Sequence, residues 1–126
     1  MKVPPMQVSS GSGWVEARPG TARLDKRWLS NGPAMVEALL SDDPHDVLID
    51  LHGVTMVDSA VPVLLSQLAD ACTKRGGHLF IARSPLLLVN MLKGTGVRGL
   101  RFVGDPSSDA DWLAAKMGAS GWKKSQ

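Results

Sequence analysis

Apolar residues along this chain fall into two kinds of run. Short, nearly continuous stretches occur at Val47-Leu48-Ile49, at Leu79-Phe80-Ile81-Ala82 and at Leu100-Arg101-Phe102-Val103. Such runs predict strands, and the first two read as strands buried on both faces. Between them, apolar residues recur every three or four positions. Val61, Leu64, Leu65, Leu68, Ala71 and Cys72 form one such stripe and predict a helix over about 60–75, with Pro62 harmless in its first turn. Gly76-Gly77 would end that helix. Met35, Val36, Leu39 and Leu40 predict an earlier helix that opens near Pro33 and stops before Asp42-Asp43-Pro44. Ser84 is the expected cap of a third helix, with Pro85 at its first position and its end near Gly94 or Gly96. Ser107 or Ser108 is the expected cap of a last helix running through Lys116.

From Asp46 onward the order is strand, helix, strand, helix, strand, helix. Right-handed crossovers make those strands mostly parallel. The expected fold is therefore α/β: a small mixed, largely parallel sheet of four to five strands with helices mainly on one face. Upstream, Trp14–Arg18 reads as a strand, Pro19-Gly20 as a turn, and 21–24 as a second short strand. Residues 1–13, with their prolines, serines and glycines, read as a loose leader in which Met6-Gln7-Val8 offers a short edge strand. Residues 118–126 read as a polar tail, which leaves one domain over 14–117.

Composition narrows the function classes. A chain of 126 residues, 44% hydrophobic and 21% charged, fits one globular domain. A formal net charge of +2, with Lys and Arg scattered, does not point to nucleic acid. Cys72 is the only cysteine, so no internal disulfide can form, which suits a reducing compartment. Its place in a helical apolar stripe predicts a buried, inert thiol. No Cys/His cluster has metal-ligand spacing, and no cofactor is expected. No apolar run approaches the roughly 20 residues that span a bilayer, and the first ten residues do not resemble a secretory signal. The expected location is the cytoplasm. Of the four tryptophans, Trp14 should pack on the sheet, Trp112 should anchor the last helix, Trp28 should be partly buried, and Trp122 should be mobile unless a partner covers it.

The stretch that carries candidate function runs from Asp50 to Ala60: a buried strand, a short apolar step Val54-Thr55-Met56-Val57, and the pair Asp58-Ser59 where a helix begins. Ser59 is a natural N-cap, and a serine in that position is most often only a cap. A helix N-terminus also tolerates added negative charge, so a phosphate on Ser59 would be partly stabilised there while Asp58 repelled it.

Residues 46–103 resemble a STAS domain, the sulfate transporter and anti-sigma factor antagonist family. The likeness lies in the order of features: Val47-Leu48-Ile49-Asp50-Leu51, the apolar step, Asp58-Ser59-Ala60, the Gly76-Gly77 helix end, Ser84-Pro85, and Leu92-Lys93-Gly94-Thr95-Gly96-Val97. In anti-sigma factor antagonists the serine after this aspartate is the one a partner kinase phosphorylates, and Ser59 stands there. The resemblance implies a regulatory binding module whose partner surface includes Asp58, Ser59, Ala60 and Val61. The partner implied is a serine-kinase anti-sigma factor. The family's upstream Gly-x-Leu-Asp signature is matched loosely by Gly20 and Leu24-Asp25, which makes Asp25 an expected neighbour of Ser59. The family's Gly-Leu-Gly after the serine is replaced by Val61-Pro62-Val63, a bulkier and stiffer surface. That departure favours an alternative, an unphosphorylated subunit or scaffold of a transporter ATPase or signalling complex. An enzyme is not expected: Asp25, Asp50 and Asp58 have no accompanying nucleophile, and no phosphate-loop motif is present.

Overall fold

The computed structural model describes residues 6–25, 30 and 32–119. Trp28 and Trp122 lie outside the described residues. Elements follow in the order β1 (Met6–Gly11), β2 (Trp14–Pro19), β3 (Arg23–Leu24), α1 (Gly32–Leu39), β4 (Asp46–Asp50), β5 (Met56–Val57), α2 (Val61–Lys74), β6 (Leu79–Ala82), α3 (Leu86–Thr95), β7 (Leu100–Val103) and α4 (Ala110–Ala119). Five strands form the main sheet in the order β1-β2-β4-β6-β7. All neighbours in it are parallel except β1 and β2. The mixed, largely parallel sheet expected from the apolar runs is the one observed.

Alternation along the strands sorts the core into two layers. Val15, Ala17, Val47, Ile49, Leu79 and Ile81 face α1, α2 and α3, whose Met35, Leu39, Leu64, Leu65, Leu68, Leu88 and Leu92 cover them. Leu48, Phe80, Ala82 and Val103 face the other way and are covered by Trp112 of α4. Trp112 is 1% exposed and anchors the last helix, as its position in the sequence predicts. Trp14 packs edge-on against it, with ring centroids 6.0 Å apart and planes at 87°.

Cys72 lies fully within the larger layer. Burial pushes its thiol up to about 11, and the nearby Asp46 carboxylate adds to the rise. The thiolate that reacts with labelling reagents is thus scarce at neutral pH. We expect native Cys72 to be modified by a thiol reagent at least about tenfold more slowly than in the urea-unfolded chain, since both burial and the raised pKa act in that direction. Labelling at equal rates would contradict its placement.

Three local expectations are corrected. Residues 6–13 are not a loose leader but half of a hairpin: Met6–Gly11 pairs antiparallel with Trp14–Pro19 around Ser12 and Gly13. Gly13 adopts the left-handed conformation that this turn needs (φ 82), and a Cβ on Gly11 would run into the Trp14 indole. The edge strand offered by Met6-Gln7-Val8 is present and runs on to Gly11, an extension held by backbone pairing with no further apolar residue to signal it. Ser84 does not cap α3; its hydroxyl donates to the Pro85 carbonyl, and Pro85 is the N-cap residue. Asp109, not Ser107 or Ser108, caps α4, accepting from the Trp112 N–H at 2.8 Å.

Candidate functional site

The apolar step before Ser59 is itself a strand. β5 pairs parallel with β3, setting Arg23 beside Met56 and Leu24 beside Val57. The Asp58 N–H donates to the Leu24 carbonyl at 2.8 Å, continuing the ladder by one residue. This small second sheet fixes the loop out of β4 and delivers Asp58-Ser59 to the start of α2. Asp25 follows Leu24 directly in the chain, at the end of this ladder.

Ser59 and Ala60 are exposed, and Asp58 is half-buried. The capping group is not the serine. Ala60 is the N-cap residue and no side chain caps α2 from that position. Instead the Asp58 carboxylate reaches over the helix start and accepts from the Ala60 N–H at 2.9 Å. The Val61 N–H donates to the Asp58 carbonyl at 3.0 Å, Pro62 has no N–H, and the Val63 N–H donates to the Ala60 carbonyl at 3.2 Å. Every donor that a helix start normally leaves free is therefore engaged or missing. A phosphate on Ser59 would meet the Asp58 carboxylate rather than a set of waiting N–H groups. The sequence-level expectation that the helix N-terminus would absorb the charge is corrected by this arrangement.

Val61 is corrected too. It is fully buried in the larger core layer, because the helical phase that buries Leu64, Leu65 and Leu68 also turns Val61 inward. It cannot touch a partner. Val63, two positions on, is 61% exposed and takes its place on the surface. The exposed residues at the α2 start are thus Ser59, Ala60 and Val63, with Asp58 half-buried beside them.

The capping arrangement makes a prediction. Asp58→Ala should cost about 1 kcal/mol of stability, the usual loss on removing a cap. Ser59→Ala should change stability by no more than about 0.5 kcal/mol, as for an exposed side chain without a structural bond. Urea unfolding of the two variants beside the parent checks this. The reverse ranking would restore Ser59 as the cap.

A second group of charges, not foreseen from the sequence as a unit, lies at the carboxyl ends of the parallel strands. Asp50 closes β4 and is 3% exposed. Its Oδ2 accepts from Arg18 Nη2 at 3.1 Å, its Oδ1 accepts from the His52 N–H at 3.0 Å, and Arg83 Nε is 3.9 Å from that same Oδ1. Arg83 Nη2 also reaches Asp105 Oδ1 at 3.3 Å. A cleft of about 200 Å³ opens beside these groups and is lined also by Lys116 and Ser107. A charged residue closing an apolar strand was the available signal. Its partners, 32 and 33 residues away in the chain, were not locally readable. Through His52, the Asp50 carboxylate holds the first residues of the loop that leads to Ser59. Among the described residues, no group of three or more His, Cys, Asp or Glu side chains could hold a metal ion, and no helix is long and apolar enough to cross a membrane.

The family model of the STAS domain matches residues 15–98. This chain belongs to the STAS domain family. The match spans β2 to the end of α3 and so includes Asp25, Asp50 and the Asp58-Ser59 helix start. Among solved structures, the STAS fold here is similar to that of the anti-sigma factor antagonist SpoIIAA in its unphosphorylated form, with a TM-score of 0.65 and 10% identity, covering 82% of this chain and 91% of that one. It is also similar to part of the murine Solute Carrier 26 family member A9 anion transporter in its inward-facing state, with a TM-score of 0.54 and 14% identity. That match covers 90% of this chain but 18% of the transporter. A search of curated protein sequences returned no match.

Proposed function

We propose that this STAS domain is a regulatory binding module of the anti-sigma factor antagonist kind, which docks a protein partner at the start of α2 and is switched by phosphate on Ser59. The observation that carries this reading is the exposed Ser59 hydroxyl beside a carboxylate already committed to the helix cap, with no free first-turn N–H to neutralise an added phosphate. A phosphate there would stand unneutralised on the docking surface, where a partner that buries it meets the cost of an unpaired charge. The fold likeness to SpoIIAA supports a serine-kinase anti-sigma factor as the partner.

One observation favours a second reading. Val63 is exposed where the family has glycine, and Pro62 stiffens the same turn. A closely fitting kinase would meet a branched side chain there, whereas a constitutive scaffold or transporter-associated partner could pack on it. Capture from extract of the cells that make the protein, with Ser59→Ala and Ser59→Asp baits side by side and mass spectrometry of what is retained, separates the two. A protein kinase retained by the alanine bait and lost from the aspartate bait supports the switch. A partner retained equally by both supports the scaffold.

A further inference from the structure

The cleft beside Asp50 lies outside the carboxyl ends of the parallel strands, against α4, where α/β sheets commonly seat small ligands. Arg18, Arg83 and Lys116 bring three cations to it from β2, the end of β6 and α4, and Glu16, Asp50 and Asp105 bring three carboxylates. The formal charges of the lining therefore cancel. Both oxygens of the buried Asp50 are engaged, and one arginine would suffice to neutralise it, yet two stand against it. Arg83 is also held in the left-handed conformation (φ 53), its N–H donating to the Val103 carbonyl at 3.0 Å. Asp and Asn enter that region readily, whereas for a long side chain it is uncommon and concentrates at ligand clamps and other functional turns.

The hydrogen-bonding groups left over in this cleft define what fits it. Among the described residues, the Arg18 side chain donates only from Nη2, to Asp50, and the Arg83 side chain only from Nη2, to Asp105. Lys116 Nζ rests on the Trp14 and Trp112 rings and, among the same residues, meets no carboxylate. All three keep N–H donors for a guest. Glu16 engages Oε1 with Trp112, and Asp105 engages Oδ1 with Ser107 and Arg83. The second oxygen of each carboxylate accepts no hydrogen bond among the described residues. Pro106 and the exposed Leu113 add apolar surface to the lining. A neighbouring concavity of about 130 Å³ shares Glu16, Arg18 and Asp50 and reaches Gln7 and Ser9.

We propose that this cleft binds the zwitterionic head of an α-amino acid, its carboxylate on Arg18, Arg83 and Lys116 and its ammonium on the free oxygens of Glu16 and Asp105. The guanidinium forks match a carboxylate in shape as well as charge. A zwitterion leaves the charge of the lining cancelled and takes up its donors and acceptors together. A dianion such as phosphate would face three carboxylates, and a lone cation three basic groups, so each meets like charge that the zwitterion balances. Asp50 acts as a positioning residue: its buried carboxylate fixes Arg18 and Arg83 and has no oxygen left for the ligand. The amino acid's side chain has Leu113 to lie on and the neighbouring concavity to enter.

The test is a set of proton–nitrogen NMR titrations of the full chain at constant ionic strength, which holds charge screening fixed. The common L-amino acids are added singly to roughly 10 mM, and the one with the largest shifts is titrated beside acetate and ethylamine, which carry the two charges separately. It should give saturable shifts at Arg18, Arg83, Ser107 and Lys116 and bind at least about tenfold more tightly than either half-molecule. Glu16→Gln keeps an oxygen for Trp112, and Lys116→Gln breaks no ion pair among the described residues. Each should weaken binding at least about fivefold with parent-like circular dichroism. No saturable shift from any amino acid overturns the proposal and leaves the cluster as a structural ion-pair network. So does acetate binding as tightly as the amino acid, which marks a plain anion site, and so does unchanged affinity in a folded variant. If one variant unfolds the other decides, and the comparison with the half-molecules on the parent needs neither. None of these outcomes bears on Ser59.

Discussion

Trp112→Ala should destabilise the protein by about 3–5 kcal/mol, the usual range for deleting a large buried aromatic. Among the side chains described on α4, Trp112 alone is fully buried, so the helix is docked chiefly through this one indole. The ring touches Phe80 at 5.1 Å between centroids as well as Trp14, and such aromatic pairs contribute beyond area alone. Its Nε1 donates to Glu16 Oε1 at 3.0 Å, so truncation also leaves that carboxylate without its buried donor. Lys116, whose Nζ lies 4.4 Å from the Trp14 ring centroid, would lose its seat as α4 frays. For a domain of this size each kcal/mol is worth about 3–6 °C in Tm, so the melting point should fall by more than about 10 °C. Trp112→Phe should recover much of the loss, because it keeps a ring and gives up only the indole bond and some area. Calorimetry on the three chains decides the matter: a Trp112→Ala Tm close to that of the parent would mean that α4 is held by something other than this contact.

The same helix shows what could be read from sequence. Trp112 is the one aromatic residue of the last helix, which singled it out as that helix's anchor, and Cys72 falls in phase with Leu65 and Leu68, so that its burial followed from the helical period. The parallel part of the sheet followed from apolar runs and the handedness of crossovers. What resisted reading was decided at longer range. Ser and Asp are nearly equal as caps, so local sequence could not rank Ser59 against Asp58. The choice is made by β5, whose pairing with β3 fixes the Asp58 backbone and leaves its carboxylate over the Ala60 N–H. Val61 seemed part of the partner surface because it adjoins the motif, whereas helical phase turns it into the core. β1 shows apolar residues only at Met6 and Val8, so its extension to Gly11, held by backbone bonds to β2, was not legible. Asp50 was legible as a charge ending a strand, but Arg18 and Arg83 reach it only through the fold.

The effect expected at Ser59 is on binding, with little on stability. Ser59→Asp sets a second carboxylate near that of Asp58. At an effective dielectric near 20, two charges several ångströms apart repel by roughly 2–4 kcal/mol, and exposure with salt screening reduces this in the free protein. A docked partner removes the screening water, so the repulsion and the cost of burying an unpaired charge are felt mainly in the complex. A difference of only about 1.4 kcal/mol weakens binding tenfold. Ser59→Ala introduces no charge and removes no structural bond, so it should bind as the parent does.

The decisive measurement is a calorimetric titration of the partner retained by the Ser59→Ala bait into the parent, Ser59→Ala and Ser59→Asp chains under one buffer and salt. The account predicts that parent and Ser59→Ala agree within about twofold and that Ser59→Asp binds at least about tenfold more weakly, a gap of about 1.4 kcal/mol. Equal affinity of all three chains would contradict the switch and leave this STAS domain as a constitutive scaffold.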